Sequence, residues 1–258
     1  MSRINDFEFV LPTRIIYGEG SIKKLPDEIR KLNNKKPLLV TDKGIITAGI
    51  AEKITDVLEE AGIDYAVFDG IQPNPRDTTV TETAEFAMAN NTDMLIAVGG
   101  GSSIDTAKAA GVILTEGGTI NDYEGLDKLK KPITDLIAVP TTVGTGSEVT
   151  FWSVITDTKR HFKMSVGSPL IAAKLAIVDP DLVETLPPSA VAATGMDALT
   201  HAIEGYTCKL AEPITDACGI YAIQMIGENI REAVYCDSKE ARGKMLLASL
   251  IAGICFGN

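Results

Sequence analysis

A carboxylate and an imidazole four positions apart are the residues of this chain best suited to bind a metal ion. Asp197 and His201 lie in a segment whose apolar residues have helical spacing, so both side chains are expected on one face of a helix. An oxygen and a nitrogen ligand of this kind suit a divalent transition metal. A satisfied polar contact is the alternative interpretation. The apolar neighbours Met196, Ala198 and Ala202 favour the metal, because burying such a pair without a ligand is costly.

The supply of further metal ligands is short. A catalytic metal site typically has three or more protein ligands, and the sequence contains two histidines. The second, His161, ends the polar run 158–161, which resembles a hairpin turn, so we interpret it as a solvated loop residue. Glu204 falls on the same helical face as the pair and is expected beside the ligands. The pattern therefore predicts half of a metal site.

A run of three glycines is the first candidate for binding phosphate. Residues 94–98 have the pattern of a buried strand, and Gly99, Gly100 and Gly101 lead from it into a helix. Glycine lets backbone N–H groups approach a phosphate closely, and a helix N-terminus supplies partial positive charge. Ser102 or Ser103 could cap that helix or bind a phosphate oxygen. A tight turn is the alternative, and the G-x-G-x-x-G fingerprint is absent, but three consecutive glycines favour phosphate binding.

Two further segments follow predicted strands in the same way. Residues 141–148 carry four hydroxyl groups and two glycines just after a strand, and ligands of open α/β sheets lie beyond the carboxyl ends of strands. Asp42 closes the strand that begins at Pro37. Its carboxylate could accept hydrogen bonds from a ribose diol and repel a 2′-phosphate, which favours NAD over NADP. It could equally open a turn before Gly44.

The elements that position these residues fall into two regions. Short apolar strands alternate with amphipathic helices up to about residue 178, which predicts βαβ units on a largely parallel sheet. Residues 7–10 and 14–17 predict two short strands around Pro12, in a hairpin or an edge ribbon. From Pro187 the pattern is helical. We therefore predict a dinucleotide-binding α/β domain at residues 1–186 and an all-helical domain at residues 187–258.

The last apolar run, residues 245–256, is apolar around its whole circumference. Such a helix is expected to be buried on all sides. We expect no remaining sequence to cover it, and on that ground predict that the helical domain is truncated.

Composition and charge limit the partners. Hydrophobic residues make up 45% of the chain, charged residues 23%, and the formal net charge is −11. Nucleic acid and anionic membranes attract basic surfaces, so neither is expected as a partner. The sequence shows no signal-peptide pattern and no apolar run of the roughly 20 residues that a bilayer requires, which predicts a cytoplasmic protein. The four cysteines form no C-x-x-C pair and are predicted to be reduced, mostly buried thiols.

Three motifs together resemble the iron-containing (group III) alcohol dehydrogenase family. They are the glycine run with Ser102, the loop 140–148, and the segment 194–204 around Asp197 and His201. The resemblance implies a dehydroquinate synthase-like architecture: a Rossmann-like parallel-sheet domain, an all-α domain that holds the metal, and an active site in the cleft between them. It also implies NAD as cofactor, with NADP less favoured, Fe²⁺ or alternatively Zn²⁺ as metal, and a homo-oligomer.

The resemblance assigns roles residue by residue. Asp42 and Leu182 would lie near the adenosine ribose, Gly101 and Ser102 would bind the pyrophosphate, and others would line the nicotinamide side. The implied cofactor-binding set is Asp42, Asn74, Gly100, Gly101, Ser102, Asp105, Thr141, Thr142, Thr145, Ser147, Lys163 and Leu182. Asp197 and His201 would be two of four metal ligands. The other two would be histidines of a later segment, after a stretch like residues 252–258.

The implied activity is hydride transfer between a nicotinamide and a small primary alcohol, aldehyde or diol, with the metal as Lewis acid. No side chain stands out as a general base. A non-catalytic NAD-binding fragment or subunit-interaction module is one alternative. A metal-independent reductase resembling maleylacetate reductase is another, although a metal-free enzyme would have little reason to present both Asp197 and His201.

Overall fold

The computed structural model describes residues 6–236 and 238–257 of the chain. Within them the strands are β1 Arg14–Tyr17, β2 Pro37–Val40, β3 Ala66–Phe68, β4 Met94–Gly99, β5 Gly125–Leu126, β6 Leu136–Pro140, β7 Trp152–Asp157, β8 Phe162–Gly167 and β9 Leu175–Val178. The α-helices are α1 Leu25–Lys31, α2 Lys43–Thr47, α3 Ile50–Glu60, α4 Asp77–Ala89, α5 Gly101–Glu116, α6 Pro188–Thr207, α7 Pro213–Tyr235 and α8 Lys239–Gly257.

The main sheet is parallel and has the order β1-β9-β6-β4-β2-β3 in the described part of the chain. Its central strands are apolar along their whole length and fully buried, as expected when helices cover both faces of a parallel sheet. Two hydrophobic clusters lie on opposite faces of it. The predicted α/β class is confirmed.

The order of strands creates a crevice at one end of the sheet. The chain passes from β2 outward to β3 and then returns to the other side of β2 as β4. The strand order therefore reverses between β2 and β4, and such a switch point leaves a crevice at the carboxyl ends of the strands. The segments after β2, β4 and β6 are the three loops that the sequence singles out.

The predicted N-terminal hairpin is wrong in its pairing. β1 forms as expected, but it pairs in parallel with β9, with Arg14 opposite Leu175, and residues 7–10 are not a strand. The partner of β1 lies about 160 residues along the chain, so β1 completes the edge of the main sheet instead of folding back on its neighbour.

A smaller sheet, in the order β5-β8-β7, stands beside the cleft. β7 and β8 are antiparallel, with Asp157 opposite Phe162. His161 lies in the connecting turn with a left-handed φ of 52°, so the predicted hairpin turn is confirmed.

Three long helices follow the sheet. α6 begins at Pro188, where a proline fits the first helical turn, and α6, α7 and α8 share one core. Whether a domain boundary lies near Pro187 stays a prediction.

The apolar helix α8 corrects one expectation. Preceding elements cover most of it, since Met245, Leu246 and Ala252 are buried in the core shared with α6 and α7, and Phe256 is 44% exposed. Asn258, the end of the stretch singled out above, lies outside the described residues.

The cysteines are less buried than predicted. All four are free thiols, but Cys208 and Cys236 are exposed, Cys218 is half-buried and only Cys255 is buried. Cys208 and Cys236 follow the last turns of α6 and α7, where few elements remain to cover them. Among the described residues, no helix meets the length and hydropathy needed to cross a membrane.

Candidate functional site

Two neighbouring cavities share the start of α5. The first, which we call the loop cavity, has a volume of about 720 Å³ and lies where β2, β4 and β6 end. The second, the cleft cavity, has a volume of about 350 Å³ and lies between α5, the β7–β8 hairpin and α6. Gly101, Ser102 and Thr145 line both. The two cavities therefore adjoin each other at the start of α5.

The glycine run packs too closely against neighbouring loops to carry side chains. A Cβ on Gly99 would lie 2.4 Å from Ser103 Oγ, and one on Gly101 would lie 2.9 Å from Thr145 Cγ2. α5 begins at Gly101, and none of the described side chains caps it. Its first N–H groups therefore face the cavities with the positive end of the helix dipole, an arrangement that suits a phosphate.

Asp42 serves as the cap of the short helix α2. Its Oδ1 accepts hydrogen bonds from Gly44 N at 2.7 Å and Ile45 N at 3.1 Å. The same residue lines the loop cavity. Its Oδ2 lies 3.7 Å from the position of a Cβ on Gly99. Asp42 can thus open the turn before Gly44 and still present a carboxylate oxygen to a ribose in the loop cavity.

The polar loop after β6 runs along both cavities. Thr142 lines the loop cavity, and Ser147 lines the cleft cavity. Thr141 is buried, and within the described residues its Oγ1 has no hydrogen-bond partner. Thr141 is not among the residues that line either cavity, so its predicted contact with the cofactor stays a prediction.

Asp105 on α5 holds this loop from the side of the helix. Its Oδ1 accepts from Ser147 Oγ at 2.6 Å and its Oδ2 from Val154 N at 3.0 Å. Burial raises the pKa of Asp105, while Lys108, Ser147 and the Val154 amide oppose that rise. Asp105 therefore lines the cleft cavity, while both of its carboxylate oxygens accept hydrogen bonds from protein groups.

Two buried charged residues at this site were not predicted from the sequence. Lys108 is fully buried on α5, and Glu148 is 1% exposed in the turn Ser147–Val149. Burial raises the pKa of Glu148 to about 7 and lowers the pKa of Lys108 to about 8. One signal was available for Lys108: it stands four residues after Ile104 on the apolar face of α5, where a cation requires partners from elsewhere.

Asp197 and His201 reach the cleft cavity from α6. His201 Nε2 lies 3.8 Å from Asp197 Oδ1, and the two side chains are 19% and 48% exposed. The His201 ring stacks on Phe256 with a centroid distance of 4.7 Å, and its buried Nδ1 has no hydrogen-bond partner among the described residues. Within the residues that the structure describes, no three or more His, Cys, Asp or Glu side chains come together as a group that could hold a metal ion. The predicted half-site is therefore what the structure presents.

Of the remaining predicted residues, some line the cleft cavity and others do not. Asn74, with a left-handed φ of 55°, and Lys163 on β8 line the cleft cavity. Leu182 does not reach either cavity among the residues described: it is buried in the core beneath β9. Glu204 lines a separate pocket with Cys208 rather than the one that contains Asp197. The sequence did not single out Thr150, Trp152, Val154, Thr156 and Phe256 as lining the cleft cavity.

The structure combines a Rossmann-like parallel sheet and a helical region with a cleft between them. Similar solved structures share this architecture, which is that of the dehydroquinate synthase-like folds. The profile described as "Iron-containing alcohol dehydrogenase" matches residues 12–180, and that described as "Fe-containing alcohol dehydrogenase family, C-terminal" matches residues 191–258. The chain belongs to the iron-containing alcohol dehydrogenase family.

Individual relatives are similar over nearly the whole chain. A choline dehydrogenase of Bacillus subtilis is 47% identical, over 100% of this chain and 65% of its own length. An NAD-dependent methanol dehydrogenase of Bacillus methanolicus is 43% identical, over 97% of this chain and 66% of its own length. The crystal structure of a 1,3-propanediol oxidoreductase superimposes with a TM-score of 0.95 at 40% identity, covering 98% of this chain and 67% of that one. The chain thus spans about two thirds of the length of these relatives.

Proposed function

We propose that this chain forms the NAD-binding part and half of the metal site of an NAD-dependent alcohol dehydrogenase, acting on a small alcohol, aldehyde or diol. The observation that carries the proposal is that the uncapped start of α5, Asp197 and His201 all line the cleft cavity. A similar protein is named an NAD-dependent methanol dehydrogenase, which supports both the cofactor and the substrate class. Predominantly cytoplasmic location and homo-oligomeric assembly stay predictions.

The described residues fit a dinucleotide. Gly101 and Ser102 would bind the diphosphate, because the first N–H groups of α5 are free of a side-chain cap. Asp42 would accept hydrogen bonds from the adenosine ribose. Its charge would disfavour a 2′-phosphate, so NAD is preferred over NADP.

The described residues fit a divalent metal in kind but not in number. The His201 imidazole, whose Nε2 lies 3.8 Å from Asp197 Oδ1, and the half-exposed Asp197 carboxylate supply nitrogen and oxygen donors, which suit Fe²⁺ and also Zn²⁺. Two ligands are fewer than a catalytic site typically has. We therefore expect weak metal binding by the 258 residues.

When bound, the metal would supply Lewis acidity and the nicotinamide would exchange the hydride. The chain's own part is to bind and to orient. Asp105 fixes the Ser147 hydroxyl at the wall of the cleft cavity. Trp152, Val154 and Phe256 give that cavity apolar walls, which limit the access of water to a reacting hydride.

The test titrates the 258-residue chain with NADH and, separately, with Fe²⁺ and Zn²⁺, and then assays alcohol oxidation with all components present. We expect NADH to bind, each metal to bind weakly and turnover to be near zero, because two ligands hold the metal. Asp197→Ala, with Glu204→Ala as the matched control on the same helix, should remove the residual metal binding and leave NADH binding unchanged.

Tight stoichiometric metal binding would contradict the half-site, and absence of NADH binding would contradict the cofactor assignment. Metal binding that Asp197→Ala does not weaken would place the metal elsewhere in the chain.

A further inference from the structure

Lys108 ties the glycine helix to the wall of the cleft cavity. It is fully buried on α5, and its Nζ donates to the main-chain carbonyl oxygens of Ser147 at 2.6 Å, Thr150 at 2.8 Å and Trp152 at 2.8 Å. An ammonium group has three N–H donors and no acceptor. The three carbonyls therefore match its hydrogen-bonding capacity in full.

The three carbonyls belong to one stretch of chain, residues 147–152, which we call the clamp segment. Its side chains Ser147, Thr150 and Trp152 all line the cleft cavity. Asp105, one turn before Lys108 on the same helix, holds this stretch from both sides: it accepts from Ser147 Oγ at its start and from Val154 N, two residues beyond its end. One face of α5 thus sets the position of the cavity wall relative to Gly101 and Ser102 at the start of that helix.

The geometry points to a positioning role that is confined to one half of the site. The clamp segment lines the cleft cavity, whereas Asp42, Gly100 and Thr142 line the loop cavity and not the cleft cavity. We propose that Lys108 is a positioning residue for the nicotinamide half of the cofactor, which it serves by fixing the clamp segment against α5. This inference rests on the proposed function for the identity of the ligand, and the contacts of Lys108 stand independently of it.

The chain contains its own reporter of the clamp segment. Trp152 is the single tryptophan of the sequence. Its carbonyl accepts from Lys108, and its ring lines the cleft cavity and stacks on Phe151. The exposure of this indole to a collisional quencher therefore reports how firmly the clamp segment is held.

The experiment compares the full chain with Lys108→Met, which keeps an unbranched side chain only one atom shorter and removes the charge and the donors. Arg242→Met is the matched control, since Arg242 is also a buried cation, on α8, and donates to the carbonyls of Glu184 and Ala233 away from both cavities. Each protein is titrated with NADH and with ADP-ribose, which lacks the nicotinamide, and acrylamide quenching of Trp152 is recorded.

For Lys108→Met we expect the Kd for NADH to rise about tenfold or more, since small misplacements of positioning groups have effects of this size. The Kd for ADP-ribose should stay nearly unchanged, and Trp152 should become more accessible to acrylamide. Arg242→Met should lower the thermal stability without changing either Kd or the quenching. If Lys108→Met does not fold, Lys108→Gln, which is one atom shorter and keeps an amide donor, should show the same pattern with smaller amplitude.

A folded Lys108 variant with unchanged NADH affinity and unchanged quenching overturns the inference. Equal weakening of NADH and ADP-ribose also overturns it, because a general loosening of the fold would act on both. If the unsubstituted chain binds neither nucleotide, the proposed cofactor fails, and the quenching of Trp152 still decides whether Lys108 holds the clamp segment.

Discussion

At the scale of single residues, the structural role of Asp42 is compatible with the role proposed for it in binding the ribose. Its Oδ1 caps α2 through two backbone N–H groups, and a carboxylate has further acceptor positions available. The residue lines the loop cavity at the point where the strand order of the sheet reverses. The cap holds the carboxylate in place, so we expect it to be already oriented when a ribose arrives.

Asp42→Ser separates the two roles. Serine caps a helix about as well as aspartate, so the melting temperature should change little, while the charge that repels a 2′-phosphate is lost. We expect the ratio of NADPH to NADH affinity to rise about tenfold, which corresponds to ~1.4 kcal/mol. Both Kd values are measured by fluorescence titration. Asp69→Ser, which removes another carboxylate from the same cavity, is the control. If it raises the affinity ratio equally, the preference for NADH comes from the overall negative charge of the cavity and not from a contact of Asp42 with the ribose.

The residues that the sequence could not predict are those whose partners lie far along the chain. The spacing of Asp197 and His201 on one helix, and the position of the glycine run after a strand, are local patterns, and the structure brings all of them to one site. Lys108 has its partners about 40 residues later in the clamp segment. Helical periodicity shows that Lys108 stands on an apolar face, but it does not show what would accept its hydrogen bonds.

At the scale of elements, the polar loop and α8 meet backbone against backbone. A Cβ on Gly253 would lie 2.7 Å from the Gly146 carbonyl oxygen, and Gly146 itself has a left-handed φ of 60°. The two glycines therefore allow the helical region to pack directly on the loop that carries Thr145 and Ser147. Through this contact α8 helps to position both cavities.

Gly253→Ala tests that contact. Alanine is the better helix former by about 1 kcal/mol, yet the added methyl group would collide with the loop backbone, and overpacking of this kind destabilises by about 1–3 kcal/mol. We expect a net loss in the free energy of unfolding, measured with denaturant. Gly227→Ala on α7 is the matched control, because a Cβ there meets nothing within 4 Å, and it should stabilise by about 0.5–1 kcal/mol. A Gly253→Ala chain as stable as Gly227→Ala would show that the contact is loose.

Local patterns predicted most elements and failed where tertiary pairing decides. Alternating strands and helices predicted the parallel sheet, because apolar strands of three to six residues between amphipathic helices have few other arrangements. The pairing of β1 with β9 was missed, since neither strand carries a signal for its partner. Coverage of α8 by α6 and α7 was likewise not readable from one helix, because it depends on how three helices pack.

At the scale of the whole molecule, the α/β and helical regions enclose charged groups between them. Lys108 and Glu148 are buried, and Asp105 is half-buried beside them. Asp105 and Lys108 extend from α5, and the turn that carries Glu148 packs against α8. Glu148 Oε1 has no hydrogen-bond partner within the described ranges. Since an unpaired buried charge is unfavourable, the stability of the molecule should depend on the protonation of this group.

Glu148→Gln tests this dependence when its free energy of unfolding is measured as a function of pH and compared with that of the unsubstituted chain. The folded pKa of Glu148 is raised from 4.5 to about 7 by burial, so its contribution to stability is complete below pH 4.5 and is lost as the pH rises through 7. Lys108, with a folded pKa of about 8, stays mostly charged in both states up to pH 7.5 and changes the comparison little. Relative to the unsubstituted chain, the variant should therefore gain about 2 kcal/mol in free energy of unfolding between pH 5 and pH 7.5. Glu85→Gln, at an exposed site on α4, should show no such gain, and a flat difference for Glu148→Gln would mean that Lys108 keeps Glu148 ionised throughout.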